Sequence, residues 1–411
     1  MKTILALFFL CVLTKTQAQT DSTELVKQID AFFQKQFTSK TGGVAIAVVK
    51  EGEVVFENAY GMANLEYGIP NTVNTIFHAA SLSKQFTAYA ILLLEQEGKL
   101  RLEDDIRTYI PEVPDFGDKI SLQQLASHTS GLRDQWRLLH LAGWRSDDVI
   151  LNQDILALVS KQTQLNFTPG SKLSYSNTGY TLLAEVVARV TGKSFAAFTK
   201  ERIFDPLQME NTQFYDDYEK IVPNRAYSYK QENGTIKKSK LSFATVGATN
   251  LFTTVRDLSK WALHLNQLPK TNKKLANRMN TPARLNNGEL TEAAMGQWTG
   301  VTFKGMEWFD HSGSDASFRA YFSRFPESNS AVVILGNTTP LDASGLALGV
   351  ADLYLKDFYK EEESTKENQE VVHKPYKSIS LTKTQLSQFV GKYRELEENY
   401  DREIRLENDT L

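Results

Sequence analysis

The architecture of this chain turns on His78-Ala-Ala-Ser-Leu-Ser-Lys84 and the helix that follows it. From Ser83 onward, Phe86, Ala90, Leu93 and Leu94 recur at helical spacing, and Gly98 stands where a C-terminal cap belongs. Ser81 is therefore expected at the N-terminal edge of an amphipathic helix, where the backbone dipole favours developing negative charge. Lys84, three residues on, lies on the same helix face, within reach of the Ser81 hydroxyl. A lysine serves as a base only where burial or positive neighbours lower its pKa. Taken alone, Ser-x-x-Lys is a weak pattern that chance supplies in most chains of this length.

Working outward, Leu25, Ile29, Phe32 and Phe33 mark a helix over Glu24 to Lys40. Val44 to Val49 and Val54 to Phe56, joined by Glu51-Gly52, read as a β-hairpin. Ile120 to Asn266 is mostly helical in pattern, with a clear helix over Thr178 to Thr191 closed by Gly192. Strand character returns at Trp298 to Phe303, Met306 to Phe309, Phe318 to Phe325 and Ala331 to Leu335, before a helix over Leu341 to Tyr359. A hairpin near one end and a meander near the other predict an α+β fold. Its single antiparallel sheet draws on both chain ends, with helices packed around it.

Two more triplets stand out. Tyr175-Ser176-Asn177 follows the turn-forming Thr168-Pro169-Gly170 and enters the Thr178 helix. Asn177 reads most simply as that helix's N-cap; in a functional reading the Tyr175 phenol relays a proton and Asn177 holds a substrate amide or carbonyl. His311-Ser312-Gly313 precedes the Phe318 strand. It is an ordinary turn with a surface histidine, or a place where Gly313 lets backbone approach backbone and the Ser314 N–H faces an oxyanion.

In order, spacing and local structure, the three triplets resemble the β-lactamase-related serine hydrolases: class C β-lactamases, serine D,D-carboxypeptidases, D-aminopeptidases and esterases. The likeness extends through Leu125-Ala-Ser-His-Thr-Ser-Gly-Leu132, Pro169 to Tyr180, Ile203 to Met209 and Val246 to Leu251, roughly Glu24 to Tyr359 in all. It implies a β-lactamase/transpeptidase-like sheet flanked by helices, with a mostly helical second lobe and the site between the two. It also implies an acyl-enzyme at Ser81, acid–base work shared by Lys84 and Tyr175, and an oxyanion hole from the N–H groups of Ser81 and Ser314. Asn177, His311 and Gly313 would bind substrate, with no metal or cofactor.

The departures bear on substrate. Class C β-lactamases carry lysine where this chain has His311, and a histidine near pH 7 holds a carboxylate less firmly. Asp315 disfavours anionic substrates. The expected substrate is a small molecule or peptide, a D-amino-acid peptide of the cell wall being the leading candidate. An esterase, a weak β-lactamase and a catalytically silent ligand-binding module are the alternatives. His128 is expected to make a structural hydrogen bond.

Composition bounds the rest. Of 411 residues 41% are hydrophobic and 23% charged, enough for a sizeable core, and a net charge of -3 gives no sign of a basic nucleic-acid face. Residues 1–18 read as a secretory signal peptide: Lys2, the apolar run Ile4 to Leu13, and Ala18 at the cleavage side. The expected location is therefore periplasmic or extracellular. The run is too short and wrongly flanked to span a membrane. Losing Lys2 and Lys15 with it moves the net charge from -3 to -5. Cys11, the single cysteine, leaves too, and Leu10 before it disfavours lipidation. The expected domains are a hydrolase unit over 19–359, a charged linker over 360–380 and a short extension over 381–411. That extension is similar to the opening of a lipocalin-like module, yet too short to complete a barrel. The sequence leaves the oligomeric state open.

Overall fold

A computed structural model of the chain describes residues 25–360 apart from 146, 300 and 301, together with residues 382–395, 400–404 and 406. The expected signal peptide, Cys11 and nearly all of the charged linker lie outside these residues.

A five-stranded antiparallel sheet is the centre of the larger unit, which ends at Lys360. Its strands are β1 (Val44–Lys50), β2 (Glu53–Tyr60), β3 (Phe309–Asp315), β4 (Phe318–Phe325) and β5 (Ser330–Gly336), in the order β3-β4-β5-β1-β2. The two chain ends meet at the β1–β5 ladder, where Val44 pairs with Gly336 and Val49 with Ala331. β1 and β5 are buried on both faces, so they read as continuous apolar runs without alternation. The α+β sheet expected from the sequence is the one observed.

Helices cover both faces. On one lie α1 (residues 25–36) and α6 (Ala343–Tyr354), packed on Val44, Ile46, Val48, Val332 and Ile334. On the other lie α2 (Ser83–Gln96), α3 (Gln135–Leu141), α4 (Asn177–Thr191) and α5 (Val255–Thr271) with their neighbours. Ala45 and Ala47 point to this second side, and their small size lets α5 approach β1 closely.

Four expectations need correction. The run expected as one strand from Trp298 to Phe303 is two isolated bridges at Trp298, one to Asp310 and one to Ala293, and a two-residue strand at Thr302–Phe303. Met306 to Phe309 splits: Met306–Glu307 pairs with Thr302–Phe303, while Phe309 opens β3. His311-Ser312-Gly313 is therefore part of the sheet's edge strand and not a turn before it. The helical middle also holds a hairpin, Ser228–Glu232 with Thr235–Ser239. Asn233-Gly234 between these strands takes positive φ at both residues, a turn signal that the helical reading passed over.

Within residues 361–411, described by itself, Lys383–Ser387 forms a short helix opened by a Thr382/Gln385 capping box. Gly391–Glu395 then pairs antiparallel with Tyr400–Ile404.

Candidate active site

Ser81 lies on a tight helical turn, Ala80–Leu82, that runs directly into α2. Ala80 takes a φ of 49°, unusual for a residue with a Cβ, and the neighbourhood over-determines it. Ser83 donates to the Ala80 carbonyl at 2.6 Å and accepts from the Leu251 N–H at 3.0 Å. The turn is thus tied to the strand Leu251–Thr253 as well as to the helix.

Lys84 is the centre of the site. It is fully buried, and its Nζ reaches Ser81 Oγ at 3.1 Å, Asn177 Oδ1 at 2.9 Å and the Ala248 carbonyl at 2.7 Å. Burial pulls its pKa down from 10.5 to about 7, against the opposing pull of Asp315 and Asp134. Near neutral pH a large share is then the free amine. Two N–H bonds go to Asn177 and Ala248, and the lone pair is left for the proton of Ser81.

Asn177 is the first helical residue of α4, with Ser176 at the N-cap position. Its Nδ2 and its backbone N–H both donate to Asp134 Oδ2, at 2.9 and 2.8 Å. Asp134 Oδ1 meanwhile accepts from the Trp136 N–H, capping α3. One carboxylate thus serves the N-termini of two helices and fixes which end of the Asn177 amide faces Lys84. The N-cap reading of Asn177 falls, and the substrate-binding reading is narrowed. Both ends of the amide are already engaged, which leaves one N–H and one lone pair.

Tyr175 stands with its ring 4.8 Å from Lys84 Nζ. The residue is 37% exposed as a whole, yet burial raises its pKa, while a hydrogen bond with Ser81 opposes the rise. The phenol therefore keeps its proton near neutral pH and cannot be the resting base. Its ring, those of His128 and His311, and Trp298 form one cluster with centroids 4.4 to 6.1 Å apart.

His311 is buried and neutral. Burial, with the Lys84 charge adding, lowers its pKa to about 3. Its Nδ1 bonds to the Ser312 carbonyl at 2.6 Å, and its Nε2 has no partner. The surface-histidine alternative is corrected accordingly. Gly313 does what its missing side chain permits: a Cβ there would lie 2.3 Å from the Ala79 carbonyl, so β3 passes directly against the nucleophile turn. Ser314 follows it on the same free edge. His128, with a φ of 59°, accepts the Ser176 N–H on Nδ1 at 3.1 Å, which is the structural bond expected of it.

Among the described residues no group of three His, Cys, Asp or Glu side chains is placed to hold a metal ion, and no helix is long and apolar enough to cross a membrane.

A family model described as Beta-lactamase matches residues 25–354. The chain belongs to the beta-lactamase family. The resemblance read from the motif blocks is borne out, and this family is one of serine hydrolases. A penicillin-binding protein of Bacillus subtilis is 29% identical over 71% of this chain and 67% of its own. A D-aminopeptidase of Brucella anthropi is 35% identical over 43% of this chain, and the match spans only 33% of that protein. An octameric penicillin-binding protein homologue from Pyrococcus abyssi shares the fold, with a TM-score of 0.69 at 23% identity over 94% of this chain and 85% of that one.

Asp134, Trp298, the Ala248 carbonyl and the His78–Thr249–Asp315 group also belong to this beta-lactamase-family site, and none was singled out from the sequence as a partner of Ser81 or Lys84. Asp315 Oδ2 accepts from Thr249 and bonds to His78 Nε2 at 3.1 Å, which ties the nucleophile segment, the Ala248 loop and β3 together. Only Asp134, placed just before α3, carried a local signal, that of an N-cap.

Proposed function

We propose that this protein is an exported serine hydrolase that forms an acyl-enzyme at Ser81 and cleaves an amide or ester, its preferred substrates being D-amino-acid peptides. The observation that carries the reading is the buried Lys84 amine, held at once on Ser81, Asn177 and Ala248. Lys84 takes the proton of Ser81 as Oγ bonds to the carbonyl carbon. The oxyanion is met by the N–H groups of Ser81 and Ser314. As the carbon–leaving group bond breaks, Tyr175 hands a proton to the departing amine or alcohol and is reprotonated from Lys84. Water then attacks the ester by the same route, releasing the acid and restoring Ser81.

A neutral His311 offers a substrate carboxylate no charge, which argues against efficient penicillin turnover. Export rests on residues 1–18, and the D-peptide preference on the D-aminopeptidase relative. The catalytic test is Ser81→Ala on a chromogenic ester, with fluorophosphonate labelling of the parent. The variant is expected to lose turnover by at least about 10⁴-fold with its melting temperature little changed. Retention of most of the activity would refute the mechanism.

A further inference from the structure

A cavity of about 350 Å³ opens at the end of β3. Its walls are apolar and largely aromatic: Trp136, Leu139, Trp144, Ile150 and Phe243, with the Trp136 and Phe243 rings 5.2 Å apart. Two links tie it to the Ser81 site. Trp136 lies two residues after Asp134, which holds Asn177 and through it Lys84. Asp315, at the other wall, lies two residues beyond Gly313, which abuts the nucleophile turn.

The charges around the cavity are unevenly satisfied. Arg145 and Lys240 also line it, but both are exposed and turned to carboxylates of their own, Arg145 to Asp147 and Asp148 and Lys240 to Asp147. Asp315 differs. Its Oδ2 is held by Thr249 and His78, its side chain is still 21% exposed, and among the described residues it forms no ion pair with lysine or arginine. Its field is felt at Lys84 and at Arg319, neither of which closes on it. His140 completes the polar lining. A carboxylate with an open side, in a cavity whose lysine and arginine already face other carboxylates, is a site for a cation or a strong donor.

We infer that this cavity receives the acyl part of the substrate as a free aminoacyl group. Its aromatic or branched apolar side chain lies against the wall formed by the Trp136 and Phe243 rings together with Leu139, Trp144 and Ile150, and its ammonium pairs with Asp315. The inference rests on the acyl-enzyme reading and narrows it to substrates with an unblocked amino group next to the scissile carbonyl. The chemistry is unchanged: the Ser81 oxygen–carbon bond forms, the carbon–nitrogen bond breaks, and the amine leaves with the proton relayed through Tyr175. N-acetylated substrates lose the charge that Asp315 meets, and alanyl substrates leave the apolar wall uncovered.

The test uses the p-nitroanilides of phenylalanine, N-acetylphenylalanine and alanine, in both enantiomers, with fluorophosphonate labelling of Ser81 in parallel. The parent is expected to favour free phenylalanyl over N-acetylphenylalanyl by at least about tenfold in kcat/KM, and phenylalanyl over alanyl by a similar factor. Asp315→Asn should bring the first ratio close to one, with Asp315→Glu restoring part of it, and Trp136→Ala should lower the second. Ratios cancel any general loss of rate, and those of the parent need no variant to fold. If the parent labels at Ser81 and cleaves both blocked and free substrates equally well, the aminoacyl inference is overturned while the acyl-enzyme stands. If the folded parent neither labels nor turns over any of the three, the acyl-enzyme reading falls and takes the inference with it.

Discussion

β1 turns Ala45, Ala47 and Val49 to one side of the sheet and Val44, Ile46 and Val48 to the other. The first side meets α2, α4 and α5, and enclosed among their apolar residues are Lys84, His78, His128, Asn250 and Asp257, all essentially without solvent contact. The second side meets α1 and α6 through Ile29, Phe33, Ala347 and Val350, close-packed on Val332 and Ile334. Burying the Lys84 amine and the His128 imidazole disfavours the folded chain wherever the unfolded one would charge them. Apolar packing on the second side contributes stability with no part in the chemistry. Function has drawn its stability cost onto one face of a shared sheet, and the other face offsets it.

The most severe way to break this arrangement is Lys84→Met. Removing the base should lower acylation by on the order of 10³-fold. In the parent, acylation should rise with pH through about 7, because the neutral amine is the active form. Stability carries a second signature. The folded pKa lies below the unfolded value, so the contribution of Lys84 is complete only above 10.5 and is lost as pH falls toward 7. Between pH 7 and 9 the stability of the parent should gain about 2 kcal/mol relative to Lys84→Met, read from urea unfolding at each pH. Parallel curves would mean that Lys84 is already charged and solvated in the folded protein.

Ile334→Ala strikes the other face. Ile334 is fully buried between α6 and the sheet, and its truncation should cost about 2–5 kcal/mol. The acylation rate per folded molecule should hold, since none of the groups bonded to Lys84 lies on that side. A matched loss of rate under conditions where the variant remains folded would show that the two faces are coupled through the sheet.

The same contrast explains how much was legible in the sequence. Val44 to Val49 and Ala331 to Leu335 announce themselves as strands because burial on both faces makes every residue apolar. The Ser81–Lys84 pair was legible because helical spacing alone sets residues i and i+3 together. β3 was hidden. His-Ser-Gly-Ser-Asp has little strand propensity, and it is held extended by pairing with Phe318–Phe325 and by the approach of Gly313 to Ala79. Asp134 on Asn177 and Ala248 on Lys84 join segments 43 and 164 residues apart, contacts that no local pattern encodes.

His311 gives the smallest effect and sharpens the comparison, since it sits on the sheet itself but titrates as part of the site. Folded, it would take up a proton only near pH 3, while the unfolded chain does so near 6.5. Its contribution to stability is therefore complete above pH 6.5 and is lost as pH falls toward 3. His311→Asn removes that titration. Between pH 6.5 and 5 the parent should lose about 1.5 kcal/mol more than the variant, measured by urea unfolding at the two values. His128 is buried in both proteins and destabilises each in the same direction as pH falls; because burial, the Lys84 charge and His311 all lower its pKa, its effect cancels in the difference only in part. A difference that stays constant with pH would mean that His311 charges freely in the folded protein. It would then meet a substrate carboxylate as an imidazolium at mildly acid pH, and the argument against penicillin turnover would no longer hold there.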